Sequence, residues 1–186
     1  MEVREQKRHE IEARLTTMGD YIKMEYLTDC LKTPLDFDTK KFVLIKLAGI
    51  YELKKMYPEA ARLYKSMADI SSTTQGKIND YVKAGQFFVT AGKFEDADYT
   101  FGKALIIAEG MQKNVIKSSM KEAYKTQAKI YLQREKRKHA MDTYEKLLTM
   151  DLEATEKKEV QTQLVDLYQK LGRVRELINL KRNLGI

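Results

Sequence analysis

The stretch KINDYVKAGQFFVTAGKFEDADYTFGKALIIA, residues 77–108, decides the fold. Tyr81, Ala84, Gly85 and Phe88 fall at i, i+3, i+4 and i+7, which is one stripe of an α-helix. Ala91-Gly92-Lys93 then breaks the pattern, with Gly92 placed to end that helix. After Phe94 a second helical stripe begins, made of Ala97, Phe101, Ala104 and Ala108. Small residues at Gly85 and Ala97 allow the two helices to approach closely, and Phe88 and Phe101 fill the space beside them. Close contact at one level and bulky filling at the next specify an antiparallel helix hairpin.

Reading outward, the same pattern recurs. Ala48, Tyr51 and Ala60 keep the spacing of Gly85, Phe88 and Ala97, and so do Ala128, Tyr131 and Ala140. Val165, Tyr168 and Leu177 form a weaker copy, and Ile11, Leu15, Gly19, Tyr21, Met24 and Leu31 a degenerate leading one. Such self-similarity specifies stacked helix pairs. The pattern predicts ten helices, over 4–17, 20–32, 39–54, 58–70, 77–91, 94–111, 116–134, 137–151, 154–171 and 174–184. The turn-rich linkers are residues 33–38 and 71–76.

The order of bulky, small, aromatic, turn glycine, aromatic, alanine, aromatic and alanine resembles the tetratricopeptide repeat (TPR). Tyr81, Gly85, Phe88, Gly92, Phe94, Ala97, Phe101 and Ala104 carry the resemblance best. It implies an all-α, right-handed α-solenoid of about five antiparallel helix pairs. The whole chain, 1–186, is then a single TPR-like domain with units of about 1–36, 37–75, 76–117, 118–155 and 156–186. Successive units are offset by 36, 37, 43 and 37 residues, longer than the family's usual repeat, and the usual closing proline is missing. The extra six residues of the longest offset fall near residues 110–115, and Arg137 stands where an aromatic is expected. Longer, proline-poor units also occur in the TPR-like SNAP family of membrane-fusion adaptors, which residues 81–88 somewhat resemble.

The composition is that of a folding chain, 43% apolar and 33% charged, with only two prolines and nine glycines to interrupt helices. The net charge of +7 divides among the five units as −2, +3, +1, +2 and +3. Dispersed basicity argues against a dedicated nucleic-acid groove, which concentrates its Lys and Arg. Cys30 is the lone cysteine, on an amphipathic helix, and reads as a small buried hydrophobe. With no disulfide to form, no secretory h-region at the N-terminus and no apolar run of about 20 residues, the expectation is a cytoplasmic chain without a transmembrane segment.

Chemistry is hard to find. The two histidines, His9 and His139, stand far apart, and no metal-ligand spacing, P-loop or GxGxxG occurs. Carboxylates at Glu95, Asp96 and Asp98 open a helix, where the macrodipole accounts for them. The expectation is therefore no catalytic residue, cofactor or metal: a binding scaffold and adaptor, not an enzyme.

In the resembled fold the first helix of each unit lines a concave groove. The matching positions are Phe42, Ile45, Gly49 and Leu53, then Val82, Gln86, Val89 and Thr90. Further along they are Glu122, Lys125, Lys129 and Gln133, then Thr162, Asp166, Gln169 and Lys170. Phe42, Ile45, Leu53, Val82 and Val89 would make an apolar floor and Gln86, Lys125 and Lys129 a polar continuation. The predicted partner is a peptide or amphipathic helix. The alternative reading of the floor is that the leading unit covers it. The carboxylate clamp found in some members of the family is not matched, because Ile45, Gly49, Val82 and Gln86 occupy its positions.

Two other features stand apart. The basic turn Arg134, Lys136, Arg137 and Lys138 suits phosphate, of nucleic acid or of a membrane surface, or else is a solvated turn; no aromatic lies among its cations to stack a base. The last helix places Ile178, Leu180 and Ile186 near an open end. That predicts a homodimer contact there, the alternative being a half-buried terminal helix.

Overall fold

A computed structural model describes residues 3–184. Among these residues the chain is all-helical. Its helices are α1 (Arg8–Leu15), α2 (Asp20–Cys30), α3 (Phe37–Leu53), α4 (Tyr57–Ile70) and α5 (Thr74–Thr90). They continue with α6 (Phe94–Ile107), α7 (Met111–Gln133), α8 (Arg137–Leu148), α9 (Ala154–Lys170) and α10 (Val174–Leu184). Consecutive helices pack on one another from α2 to α6 and again from α8 to α10, and α1 also packs on α3. The chain divides into two compact units, Met1–Ile116 and Lys117–Ile186.

Local chemistry sets the helix starts. The Asp36 carboxylate caps α3 by accepting from Thr39 N (2.9 Å) and Thr39 Oγ1 (2.6 Å), and these bonds hold it below the ordinary carboxylate range. Thr73 caps α5, accepting from Gly76 N at 3.1 Å. That cap starts α5 at Thr74, three residues before the sequence expectation of residue 77. Pro58 sits in the first turn of α4, where its missing N–H costs nothing.

Four turns share one geometry. Met56 N donates to Tyr51 O, Lys93 N to Phe88 O, Lys136 N to Tyr131 O and Arg173 N to Tyr168 O, at 2.8, 2.9, 2.9 and 2.8 Å. Each acceptor is the aromatic residue of the sequence pattern. Each turn also holds one residue in the left-handed region: Lys55 (φ 58°), Gly92 (72°), Glu135 (54°) and Gly172 (67°). The 6→1 bond and the left-handed residue are the marks of a Schellman turn. The same turn thus joins α3 to α4, α5 to α6, α7 to α8 and α9 to α10.

The small pivots lie in the core. Ala48, Ala60, Ala97, Ala128 and Ala140 are fully buried. Gly85 touches Phe101 so closely that an added Cβ would stand 2.7 Å from the ring. In the first unit Ile11, Tyr26, Leu27, Cys30, Phe42 and Val43 form one cluster, and Leu44, Ala48 and Met67 another. Polar ties cross between helices. Lys83 Nζ donates to Tyr64 Oη (2.7 Å), which donates to Glu52 Oε1 (2.6 Å), joining α5, α4 and α3. Burial and the Glu52 carboxylate raise the Tyr64 hydroxyl pKa.

In the second unit Tyr124, Met141, Leu147, Leu164 and Leu167 are buried. Tyr168 Oη donates to Glu145 Oε1 at 2.9 Å, tying α9 to α8. Lys121 pairs with Glu156 (2.9 Å) and Lys125 with Glu159 (3.3 Å). Both partners advance together along the chain, so α7 and α9 run parallel.

Candidate functional site

The expected groove residues separate into two kinds. In the first unit, Phe42 is 7% exposed and Val89 fully buried, so neither can form an accessible floor. Phe42 is covered by the leading helices: it belongs to the cluster of Ile11, Leu15 and Tyr26, with the Arg8 guanidinium 4.8 Å from its ring. The alternative in which the leading unit covers the floor thus holds at this residue. Ile45 (49% exposed) and Leu53 (81%) do reach the surface of α3, with the half-buried Gly49 between them. On α5, Val82 is half-buried and Gln86 exposed. The floor there is narrower and more polar than the sequence suggested. Asp80 adds to that polarity; its burial pushes its carboxyl pKa up, against the pull of Lys41 and Lys83.

The second unit holds a better-formed site. A cleft of about 540 Å³ opens between α7 and α9, lined by the expected Lys125 and Lys129 and by Thr162. Its floor is apolar: Leu132 from α7, Tyr144 from α8 and Val160 from α9. Val160 and Tyr144 are buried, which fixes them in place. Lys158 and Glu159 complete the rim. Glu159 pairs with Lys125, whereas no ion pair joins Lys129 or Lys158 to another described residue, and both are exposed. A smaller cavity of about 300 Å³ shares Leu132 and Gln163 with the first and adds Arg137, Asp166 and Lys170. The cleft therefore continues towards the turn after α7.

Lys158, Glu159, Leu132, Tyr144 and Val160 were missed in the sequence. The signal was present: Glu156 and Glu159 lie 35 and 34 residues beyond Lys121 and Lys125, close to the 37-residue offset expected between these two units, and the structure pairs them.

Arg134, Lys136, Arg137 and Lys138 are all exposed. On α10, Ile178 is 51% exposed and Leu180 is buried on the core side of its helix, so of these two only Ile178 reaches the surface where the homodimer contact was expected. Ile186 lies outside the described residues. Among the described residues no cluster of His, Cys, Asp and Glu could hold a metal ion, and no helix is long and apolar enough to cross a membrane. Compared with models of known protein families and with curated proteins, the sequence matches none.

Proposed function

We propose that this chain is a non-enzymatic interaction scaffold, a TPR-like right-handed α-solenoid of about five helix pairs. It binds an amphipathic peptide or helix along the first helices of its pairs. The reading is supported by the turn that recurs at four hairpins and by small pivots buried at the matching positions. The observation that carries it is the α7–α9 cleft, where an apolar floor of Leu132, Tyr144 and Val160 lies beneath Lys129 and Lys158. An apolar side chain entering there gains about 25 cal/mol per Å² buried, while its flanks meet two cations with no ion-pair partner among the described residues. Charge complementarity makes the ligand acidic beside its anchor.

Selection of displayed random peptides on the intact protein tests this. Counter-selection uses a Lys129→Glu, Lys158→Glu double variant, whose fold is checked by circular dichroism. The expected product is a set of peptides with one large apolar residue flanked by Asp or Glu, bound at least about tenfold more weakly by the variant. Equal binding by the folded variant would remove the cleft from the reading.

A further inference from the structure

The turn after α7 breaks a rule that its three counterparts keep. At the third position of the helix that follows each turn, α4 has Glu59, α6 has Asp96 and α10 has Glu176. There the negative charge complements the helix macrodipole. In α8 that position is His139, and no acid occurs in the first turn. Around it stand Arg134, Lys136, Arg137 and Lys138, all exposed. Cations at a helix N-terminus oppose the macrodipole and repel one another, so the fold gains nothing from them. His139 itself packs on Tyr131, with ring centroids 5.3 Å apart, but the exposed cations around it have no such return, and a local rule broken in that way marks a functional surface.

A second turn adds to the patch. Because α7 and α9 run parallel, the turns that follow them lie at one end of the second unit, and Glu135 and Arg137 share a cavity with Lys170. The second turn brings Arg173 and Arg175. Arg173 is paired with Glu176 at 3.5 Å, but Arg175 is exposed. No ion pair joins Arg134, Lys136, Arg137, Lys138 or Arg175 to another described residue. Val174, 61% exposed, sits between Arg173 and Arg175, and Ile178, 51% exposed, follows one helical turn later.

We infer that this edge of the second unit docks on an anionic phospholipid surface. The five free cations, from two adjacent turns, meet headgroup phosphates, and Val174 dips into the apolar boundary beneath them. Cations with aliphatic tips suit a bilayer interface, where both contribute. A single-stranded nucleic acid would call for aromatic stacking platforms, and neither turn offers an exposed aromatic among its cations. Of the five cations only Arg137 borders the extension of the α7–α9 cleft, and none lines the cleft of Lys125 and Lys129 itself, so peptide binding and lipid binding can be told apart.

The test is co-sedimentation of the intact protein with large unilamellar vesicles. One set is phosphatidylcholine alone; the other contains about 30 mol% phosphatidylserine, enough for a strongly negative surface. Binding is expected only to the anionic vesicles, and is expected to vanish between about 50 and 500 mM salt as screening shortens. Arg134→Gln, Lys136→Gln, Arg137→Gln, Lys138→Gln and Arg175→Gln together should lower the partition coefficient at least about tenfold. A control removes five exposed lysines elsewhere, Lys7, Lys40, Lys113, Lys117 and Lys157, each to Gln. It should change binding less than about twofold if the edge, not net charge, is responsible. Val174→Ser with Ile178→Ser should weaken binding while the cations remain. Equal loss in the control, or no binding to anionic vesicles at low salt, would overturn the inference. So would salt-sensitive capture of a duplex or single-stranded oligonucleotide by the same five residues without vesicle binding.

Discussion

Lys55 and Glu135 hold left-handed torsions, φ 58° and 54°, at the turn position where the other two hairpins use Gly92 and Gly172. A side chain in that region costs about 1–2 kcal/mol, because Cβ crowds the neighbouring carbonyl. Glycine removes the clash, although its unfolded chain is more mobile. Lys55→Gly and Glu135→Gly are each expected to stabilise by about 1 kcal/mol in urea unfolding. Destabilisation by both would mean that these turns are built differently. Two helical glycines give an opposite pair. At Gly85 a Cβ would meet the Phe101 ring at 2.7 Å, so Gly85→Ala should destabilise by about 1–3 kcal/mol. At Gly49 nothing lies within 4 Å, so Gly49→Ala should stabilise by about 0.5–1 kcal/mol through backbone entropy. The sign difference is the readout, and equal signs would contradict the packing described at Gly85.

Between helices, the pair of Lys121 and Glu156 ties α7 to α9. The Lys121 ammonium, and next the Glu153 backbone N–H, hold the Glu156 carboxyl below its ordinary pKa. A depressed folded value means that the charged form is the one the fold favours. Its contribution is therefore complete above the ordinary glutamate value of about 4.3, and is lost as pH falls through the lower folded value. Glu156→Gln keeps the hydrogen-bonding capacity at the start of α9 and removes only the charge. Its melting temperature should lie below that of the wild type at pH 7, and the gap should close below about pH 4. A gap unchanged at pH 3 would assign the difference to packing. At this scale the elements were readable in the sequence because aromatic, small and turn residues recur in step. The boundaries that shifted have local causes. The sequence expectation placed the extra six residues near 110–115 and began the next helix at residue 116. Gly110, at φ 48°, ends the preceding segment, and Met111–Val115 lengthen α7. At the site, counting positions found Lys125 and Lys129 but placed Phe42 and Val89 on the floor. Counting assigns a helix face, and it cannot say that Ile11, Leu15 and Tyr26 gather over Phe42 from other helices.

For the molecule as a whole, stability is distributed along the chain. Cores made by neighbouring helices allow part of such a chain to open without the rest. The terminal helices bury little: Ile11 and Leu15 on α1, and Leu180 on α10. Helices α4, α5 and α6 pack on neighbours along their length, and α5 and α6 meet closely at Gly85 and Phe101. Amide hydrogen exchange should therefore be slowest in α4–α6 and fastest in α1 and α10. The two compact units divide after Ile116, inside the 23-residue helix α7. If each unit is stabilised mainly by its own contacts, damage in one should stay there. Gly85→Ala, which strains the α5–α6 contact, is expected to speed exchange in α4–α6 several-fold while α9 and the start of α10 keep their wild-type rates. Uniform acceleration through α10 would show one cooperative transition carried across α7, and the local picture of stability would fail. Acceleration confined to the first unit would show that the second, which holds the α7–α9 cleft, keeps its structure when its neighbour loosens.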